Sequence, residues 1–381
     1  MPEAGKTLSG LSGAGALPPR DFSSAPERVV EIASEALELP ATMAEAVEVA
    51  SKAGHFDPTA LEEAIAALTV GHLILAGPPG TGKTTLAKGL ANAFNAKLRT
   101  ETANPEWSVF DTIGTQTLKT GGEAAPRHGL VTNSILECAT TMVDRFDSGE
   151  GEQAVWLLID EMNRADIDRA FGPLFTALSG GNSPTMILDY MDGRPTLTLP
   201  ARYRIIATIN EYDTRFVNSM SGALRRRFSK VTILPPRNES DGLSSVAEWK
   251  TAVSEATART TSTFGQEPSE SARNAIDQSE EDIRRLLGYF RSSGNIPVGT
   301  AQAIDVIEYY LTFGTMAEAE FDAEGRWDLL DRSLVARLLP GLETDSTRAR
   351  LDAEFARELG ATFIGLPRFA QRLTAYLTGI D

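Results

Sequence analysis

The stretch GPPGTGKTT, residues 77 to 85, puts glycines, a lysine and threonine hydroxyls at a spacing that suits a polyphosphate. Gly77, Gly82, Lys83 and Thr84 satisfy the pattern G-x-x-x-x-G-K-[ST]. The apolar run LILA precedes it, and an amphipathic stretch with Leu86, Leu90 and Phe94 four residues apart follows it. Strand, loop and helix therefore come in the order a phosphate cradle requires. The run Gly77, Pro78, Pro79, Gly80, Thr81, Gly82 is expected to wrap inward with its N–H groups aimed at phosphate oxygens, at the positive end of a helix. Lys83 is expected to neutralise the β- and γ-phosphates and the Thr84 hydroxyl to ligate magnesium, with Thr85 beside them in the binding set.

Holding a nucleotide is not the same as hydrolysing it, which needs a group to activate water. In AVWLLIDEMNRAD the apolar strand ends in Asp160, placed to hold magnesium through its hydration shell, with Glu161 next to it. A carboxylate one residue past the metal-binding one can reach the attacking water as general base.

These residues need a scaffold, and the hydropathy pattern describes one. LILA (73 to 76), AVWLLID (154 to 160), YRIIATIN (203 to 210) and KVTIL (230 to 234) are continuous apolar runs, the signature of parallel strands covered on both faces. The expected fold class is α/β: a nucleotide-binding core with a parallel sheet flanked by helices, followed by an all-helical domain. Ahead of the core, ERVVEIASEALEL is expected to form one short helix with Val30, Ala33 and Leu37 on one face, and DPTALEEAIAAL a second, with Asp57 as N-cap and Pro58 at the first helical position. From about residue 238 the chain turns polar and Ser/Thr-rich, then helical, as in TAQAIDVIEYYLTF and RFAQRLTAYL. The expected division is an N-terminal extension over 1 to 55, with a flexible lead to about 25, an α/β core over 56 to 237, and a linker with a helical lid over 238 to 381.

Composition sets the outer limits. The 381 residues, 42% of them hydrophobic, suffice for two or three domains. No apolar run approaches the ~20 residues of a membrane helix and the start of the chain lacks a signal-peptide core, so a soluble, cytoplasmic protein without membrane contact is expected. Cys138 is the only cysteine, which excludes an internal disulfide and a thiolate metal cluster, and His55, His72 and His128 have no metal-ligand spacing. The net charge is -16, and only eight of the 36 basic residues are lysine, the last being Lys250. Acid-rich, lysine-poor chains suit brine, where salt screens charge over only ~3 Å at 1 M; an acidic protein from a GC-rich genome is the other reading. Either way the bulk charge opposes sequence-independent binding of DNA by the whole surface, although a local basic channel could survive it.

GPPGTGKT, LLIDEMNRAD, IIATINEYD and ALRRRF, in this order over residues 72 to 234, resemble the P-loop, Walker B, sensor 1 and arginine-finger motifs of AAA+ ATPases. Among those the chain is most similar to the dynein-related, helix-2-insert branch that contains MoxR-like and McrB-like proteins. The resemblance implies that Asn210 is sensor 1, positioning the attacking water or the γ-phosphate. It implies that an arginine of the run Arg225, Arg226, Arg227, with Arg226 and Arg227 foremost, reaches the neighbouring subunit's nucleotide. Protomers then stack head to tail into a ring, a hexamer by family resemblance. The segment 103 to 131 resembles the branch's helix insertion, and TMILDYMDGRPTLTLP resembles its inserted hairpin, with Asp192-Gly193 as the turn. Such insertions face the ring pore in the family.

At sensor 2 the pattern departs. The segment IPVGTAQAID (296 to 305) has no arginine, and Arg368 in GLPRFAQR is the alternative. The resemblance implies ATP with magnesium, with GTP open because McrB-like relatives include its users. It also implies a partner: a nuclease, with DNA passing through the pore, or a remodelled protein client as for MoxR-like proteins. An assembly scaffold with negligible turnover is a third possibility, against which Glu161 and the arginines count. The triplet Glu248-Trp249-Lys250 with Asp241 loosely echoes a nuclease arrangement, but its polar surroundings carry no strand pattern, and it is set aside.

Overall fold

The computed structural model describes residues 31–118, 122–178, 184–211, 226–294, 296–317 and 320–379. Five strands build the central sheet: β1 (His72–Gly77), β2 (Ala96–Thr102), β5 (Ala154–Asp160), β8 (Ile205–Asn210) and β9 (Phe228–Thr232). Their order is β2-β5-β8-β1-β9, and every neighbouring pair is parallel. Leu73 to Ala76 and Ala154 to Ile159 are fully buried, as expected of strands with helices on both faces. The four apolar runs all became strands. The edge strand β2 has no such run, because only its first residue, Ala96, is buried.

Register aligns the strand ends that matter. Gly77 lies opposite Asn210, Thr102 opposite Asp160, and Ile159 opposite Ala207. The ends of β1, β5 and β8 thus share one edge of the sheet, the edge at which open parallel sheets bind ligands. Helix Lys83–Ala93 leaves that edge with Leu86, Leu90 and Phe94 turned into the core.

Two small antiparallel hairpins stand apart from the sheet. One pairs β3 (Gly114–Leu118) with β4 (Ala124–His128), inside the expected helix insertion. The other pairs β6 (Thr185–Ile187) with β7 (Thr196–Thr198), and its loop contains a turn in which Arg194 N–H donates to Met191 O, with Asp192 and Gly193 central. The hairpins touch where His128 Nδ1 and Tyr190 Oη lie 2.6 Å apart.

Before β1 the second expected helix forms as Pro58–Val70 with Asp57 as its N-cap, and the first differs from the expectation. The helix read into ERVVEIASEALEL ends by Ala33, and residues 35 to 40 run without helix. Gln153 accounts for this: its side chain accepts from Glu38 N–H and donates to Glu38 O, replacing the helical bonds that backbone would otherwise make. Arg202, itself buried, binds Glu35 and Glu38. A further helix, Met43–Ser51, lies against Lys83–Ala93 at Gly89, where a Cβ would come within 2.6 Å of Ala50 O. Ile32, Ala46 and Ala50 therefore share the core of the sheet.

A second hydrophobic core, from Trp249 to Leu373, joins helices Val246–Phe264, Glu270–Gln278, Glu280–Ser292, Thr300–Ala317, Ala323–Ser333, Ala353–Thr362 and Pro367–Thr378. The stretch read as a polar linker after residue 238 is itself largely helical. Its apolar face is small and sparse, with Trp249, Ala252 and Ala256 buried, which is why composition hid it. Among the described residues no helix is long and apolar enough to cross a membrane.

Candidate nucleotide site

Gly77, Gly80 and Gly82 all take positive φ (145°, 76° and 78°), the region open to glycine without strain. At Gly77 a Cβ would also meet Ile233 O at 2.2 Å. The loop delivers the chain to the first turn of helix Lys83–Ala93, with Thr81 buried and donating to Pro78 O. Lys83 is buried, and its Nζ donates to Gly77 O (3.1 Å) and Pro78 O (2.6 Å). Burial pushes its pKa down to about 8, while the carboxylates of Asp160, Glu161 and Glu211 pull it upward. A partly desolvated ammonium held beside a cradle of backbone N–H groups has much to gain from an arriving phosphate.

Thr84 is half-buried, and its Oγ1 donates to Asp160 Oδ1 at 2.8 Å across 76 residues of sequence. Thr85 is exposed. Asp160 Oδ1 also accepts from Thr208 Oγ1 at 2.6 Å, and Thr208 in turn accepts the Glu161 N–H at 2.8 Å. Thr208 went unnoticed in the sequence because a threonine inside an apolar strand reads as a β-former; its value to the site comes from the β5–β8 pairing. Thr84 and Asp160 present the adjacent hydroxyl and carboxylate oxygens that magnesium accepts when phosphates and water complete its shell. The donor set fits that ion. Among the described residues no cluster of three His, Cys, Asp or Glu side chains forms a cage for a metal on its own.

Glu161 has φ 54°, a left-handed backbone in a non-glycine residue. Its carboxylate pairs with Arg164 Nε at 2.7 Å. Between them Asn163, buried, clamps the end of β8: its Nδ2 donates to Asn210 O and its Oδ1 accepts from Asn210 N–H, both at 3.3 Å. Asn210 is thus held opposite Gly77 by register and beside the β5 turn by Asn163. Glu211 follows it, its Oε1 accepting from Lys230 Nζ at 2.5 Å. Neither Asn163 nor Glu211 was singled out from sequence, since short polar residues after a strand ordinarily mark a turn.

The arginines separate. Arg225 lies outside the described residues, Arg226 is exposed, and Arg227 is half-buried with Nε donating to Phe175 O. Arg368 lies in the helical domain, where its guanidinium pairs with Asp328 at 2.6 Å rather than with the glycine-rich loop. The helical domain reaches that loop instead through Ala301 and Gln302, in the segment that has no arginine.

A parallel sheet, a glycine-rich loop leading into a Lys-Thr helix start and an aspartate hydrogen-bonded to that threonine together define a P-loop nucleoside triphosphatase. Residues 72–228 match the AAA domain of the dynein-related subfamily, and the α/β unit is an AAA+ ATPase domain of that type. AAA+ proteins as a class hydrolyse nucleoside triphosphates and commonly assemble into rings. No curated protein matches the chain significantly. Similar solved structures include three variants of RuvB from Thermotoga maritima, all at 17% identity. The alanine-to-serine variant covers 86% of this chain and 83% of that one with a TM-score of 0.41. The proline-to-glycine variant covers 86% and 84% at 0.40, and the lysine-to-arginine variant 85% and 82% at 0.41.

Proposed function

We propose that this chain hydrolyses ATP, with GTP as the alternative nucleotide, at the subunit interfaces of a ring, and that turnover drives translocation or remodelling of a macromolecule. The observation that carries the reading is the hydrogen-bonded set Thr84–Asp160–Thr208 at the sheet edge where Lys83 binds the loop carbonyls of Gly77 and Pro78. Lys83 and the loop N–H groups bind and neutralise the β- and γ-phosphates. Thr84 and Asp160 would hold a magnesium ion, which would supply further charge neutralisation. Glu161 leaves Arg164 and accepts the proton of the attacking water, and Asn210 orients that water. Arg226, exposed, is the better candidate for the finger in trans, since Arg227 is engaged by Phe175 O. A helical lid over 238 to 381 closing on the core would turn hydrolysis into motion.

The load is proposed to be McrB-like, a polymer or client engaged by the two linked hairpins, with a partner protein supplying specificity; a MoxR-like remodeller remains the rival. Phosphate release from ATP and GTP, in low and molar salt, is measured together with assembly size. Glu161→Gln is expected to lose at least about 100-fold in turnover while still assembling with nucleotide. Arg226→Ala alone is expected to be equally impaired. Mixing the two inactive variants is expected to restore turnover, because each Arg226→Ala site then borrows its neighbour's arginine. A mixed ring that assembles and stays inactive would sink the finger assignment, and a wild type that assembles without turnover would sink the hydrolysis reading.

A further inference from the structure

Two features left without a role by the motifs, the Glu248-Trp249-Lys250 triplet and the arginine-free segment 296 to 305, meet in the structure. Glu248 is 1% exposed and grips Arg291 with both oxygens, at 2.6 and 2.8 Å. Thr300 Oγ1 donates to the same carboxylate at 3.0 Å. Arg291 also donates to Val298 O (2.8 Å) and to Pro236 O (3.2 Å). One buried ion pair thus joins the chain leaving the sheet, two helices of the helical domain and the start of a third. A pair this desolvated adds little net stability, and removing one partner is costly, so its effect is to fix geometry.

What it fixes is the first turn of helix Thr300–Ala317, which rests on the P-loop. Ala301 N–H donates to Gly80 O at 3.1 Å, and Gln302 Nε2 donates to Pro79 O at 3.2 Å. Gln302 Oε1 accepts from Gly299 N–H at 2.9 Å, which orients the amide. At Gly299 the approach is close enough to demand glycine, since the facing atoms are backbone, whereas Gly80 is required by its positive φ of 76°. A Cβ at Gly299 would lie 2.4 Å from Gly80 O, and one at Gly80 would lie 2.0 Å from Gln302 Oε1. These contacts engage the carbonyls of a loop whose N–H groups serve the phosphates.

We propose that Gln302 is a positioning residue of the nucleotide site: from the helical domain it braces the carbonyl side of the P-loop, and the Glu248–Arg291–Thr300 network holds it there. A braced loop presents its N–H groups already arranged, so the ordering cost of binding falls. The consequence for turnover rests on the nucleotide reading above; the brace itself does not.

The test follows amide exchange of the nucleotide-free full chain in a peptide spanning residues 77 to 84, alongside binding of a fluorescent ATP analogue with magnesium and steady-state turnover. Gln302→Ala, and Gln302→Glu, which keeps the shape but loses the donor, are expected to speed loop exchange and to raise Kd and KM, each by about 5-fold, the value of one ordinary hydrogen bond. Their kcat stays within about twofold of wild type, and exchange in residues 154 to 160 does not change. Loop exchange equal to wild type in both variants overturns the proposal, as does faster exchange throughout the chain. If wild type neither binds nor turns over nucleotide while the variants still loosen the loop, the nucleotide reading falls and the brace stands.

Discussion

Glu161 is the most constrained residue of the site. Its left-handed backbone costs about 1–3 kcal/mol in a non-glycine residue, and its N–H bond to Thr208 and the pairing of its side chain with Arg164 offset that cost. The proposed base therefore begins paired with Arg164 and must be released to meet water. Thr208 holds both acids of the pair at once, donating to Asp160 and accepting from Glu161 N–H. Thr208→Val preserves shape but removes both bonds. At about 1.5–3 kcal/mol for a hydrogen bond to a charged group, kcat is expected to fall about 10-fold to 100-fold, with Thr208→Ser close to wild type. Steady-state phosphate release checks this, and equal kcat for all three proteins would show that Thr208 merely fills the strand.

At the scale of elements, the sheet carries its own pH sensitivity. His72 Nδ1 accepts the Ile205 N–H at 3.0 Å, stitching the starts of β1 and β8, and desolvation together with Arg204 pushes its pKa down from 6.5 to about 3. A depressed histidine pKa means that the folded state binds fewer protons than the unfolded one between those values. The neutral ring's contribution is therefore complete above pH 6.5 and is lost as pH falls toward 3. For one proton the slope approaches about 1.4 kcal/mol per pH unit within that window. His72→Asn, which keeps an acceptor but does not titrate, is expected to show a shallower loss of stability between pH 6 and 4 by urea denaturation. Parallel slopes for the two proteins would refute the assignment. Four of the five strands forming this sheet were readable as continuous apolar segments, and the edge strand β2, buried only at Ala96, was not. The helix after Ser245 was not, since its buried face is mostly alanine and its polar residues dominated the count.

For the molecule as a whole, the sequence carries a net charge of -16. Self-repulsion of that charge opposes compaction, and screening at about 3 Å in molar salt relieves it. The unfolding midpoint is expected to rise by several degrees between 0.1 and 2 M KCl, roughly 1–2 kcal/mol for a chain of this size. A midpoint that falls with added salt would show that ion pairs such as Arg202 with Glu35 and Glu38 outweigh the repulsion.

Residue type and local order were enough to place the glycine-rich loop, Asp160, Glu161 and Asn210 at strand ends, because each belongs to a short motif tied to a strand and a strand's burial is written into its own side chains. Pairing across the chain decided the rest. Gln302 meets Pro79 across 223 residues, Thr208 meets Asp160 across 48, and Glu248 meets Arg291 across 43. Each of these side chains is ordinary in its own neighbourhood, a helix-surface glutamine, a strand threonine, a glutamate in a polar run. Their roles come from desolvation and hydrogen-bond geometry that exist only once β5 lies beside β8 and the helical domain rests on the loop.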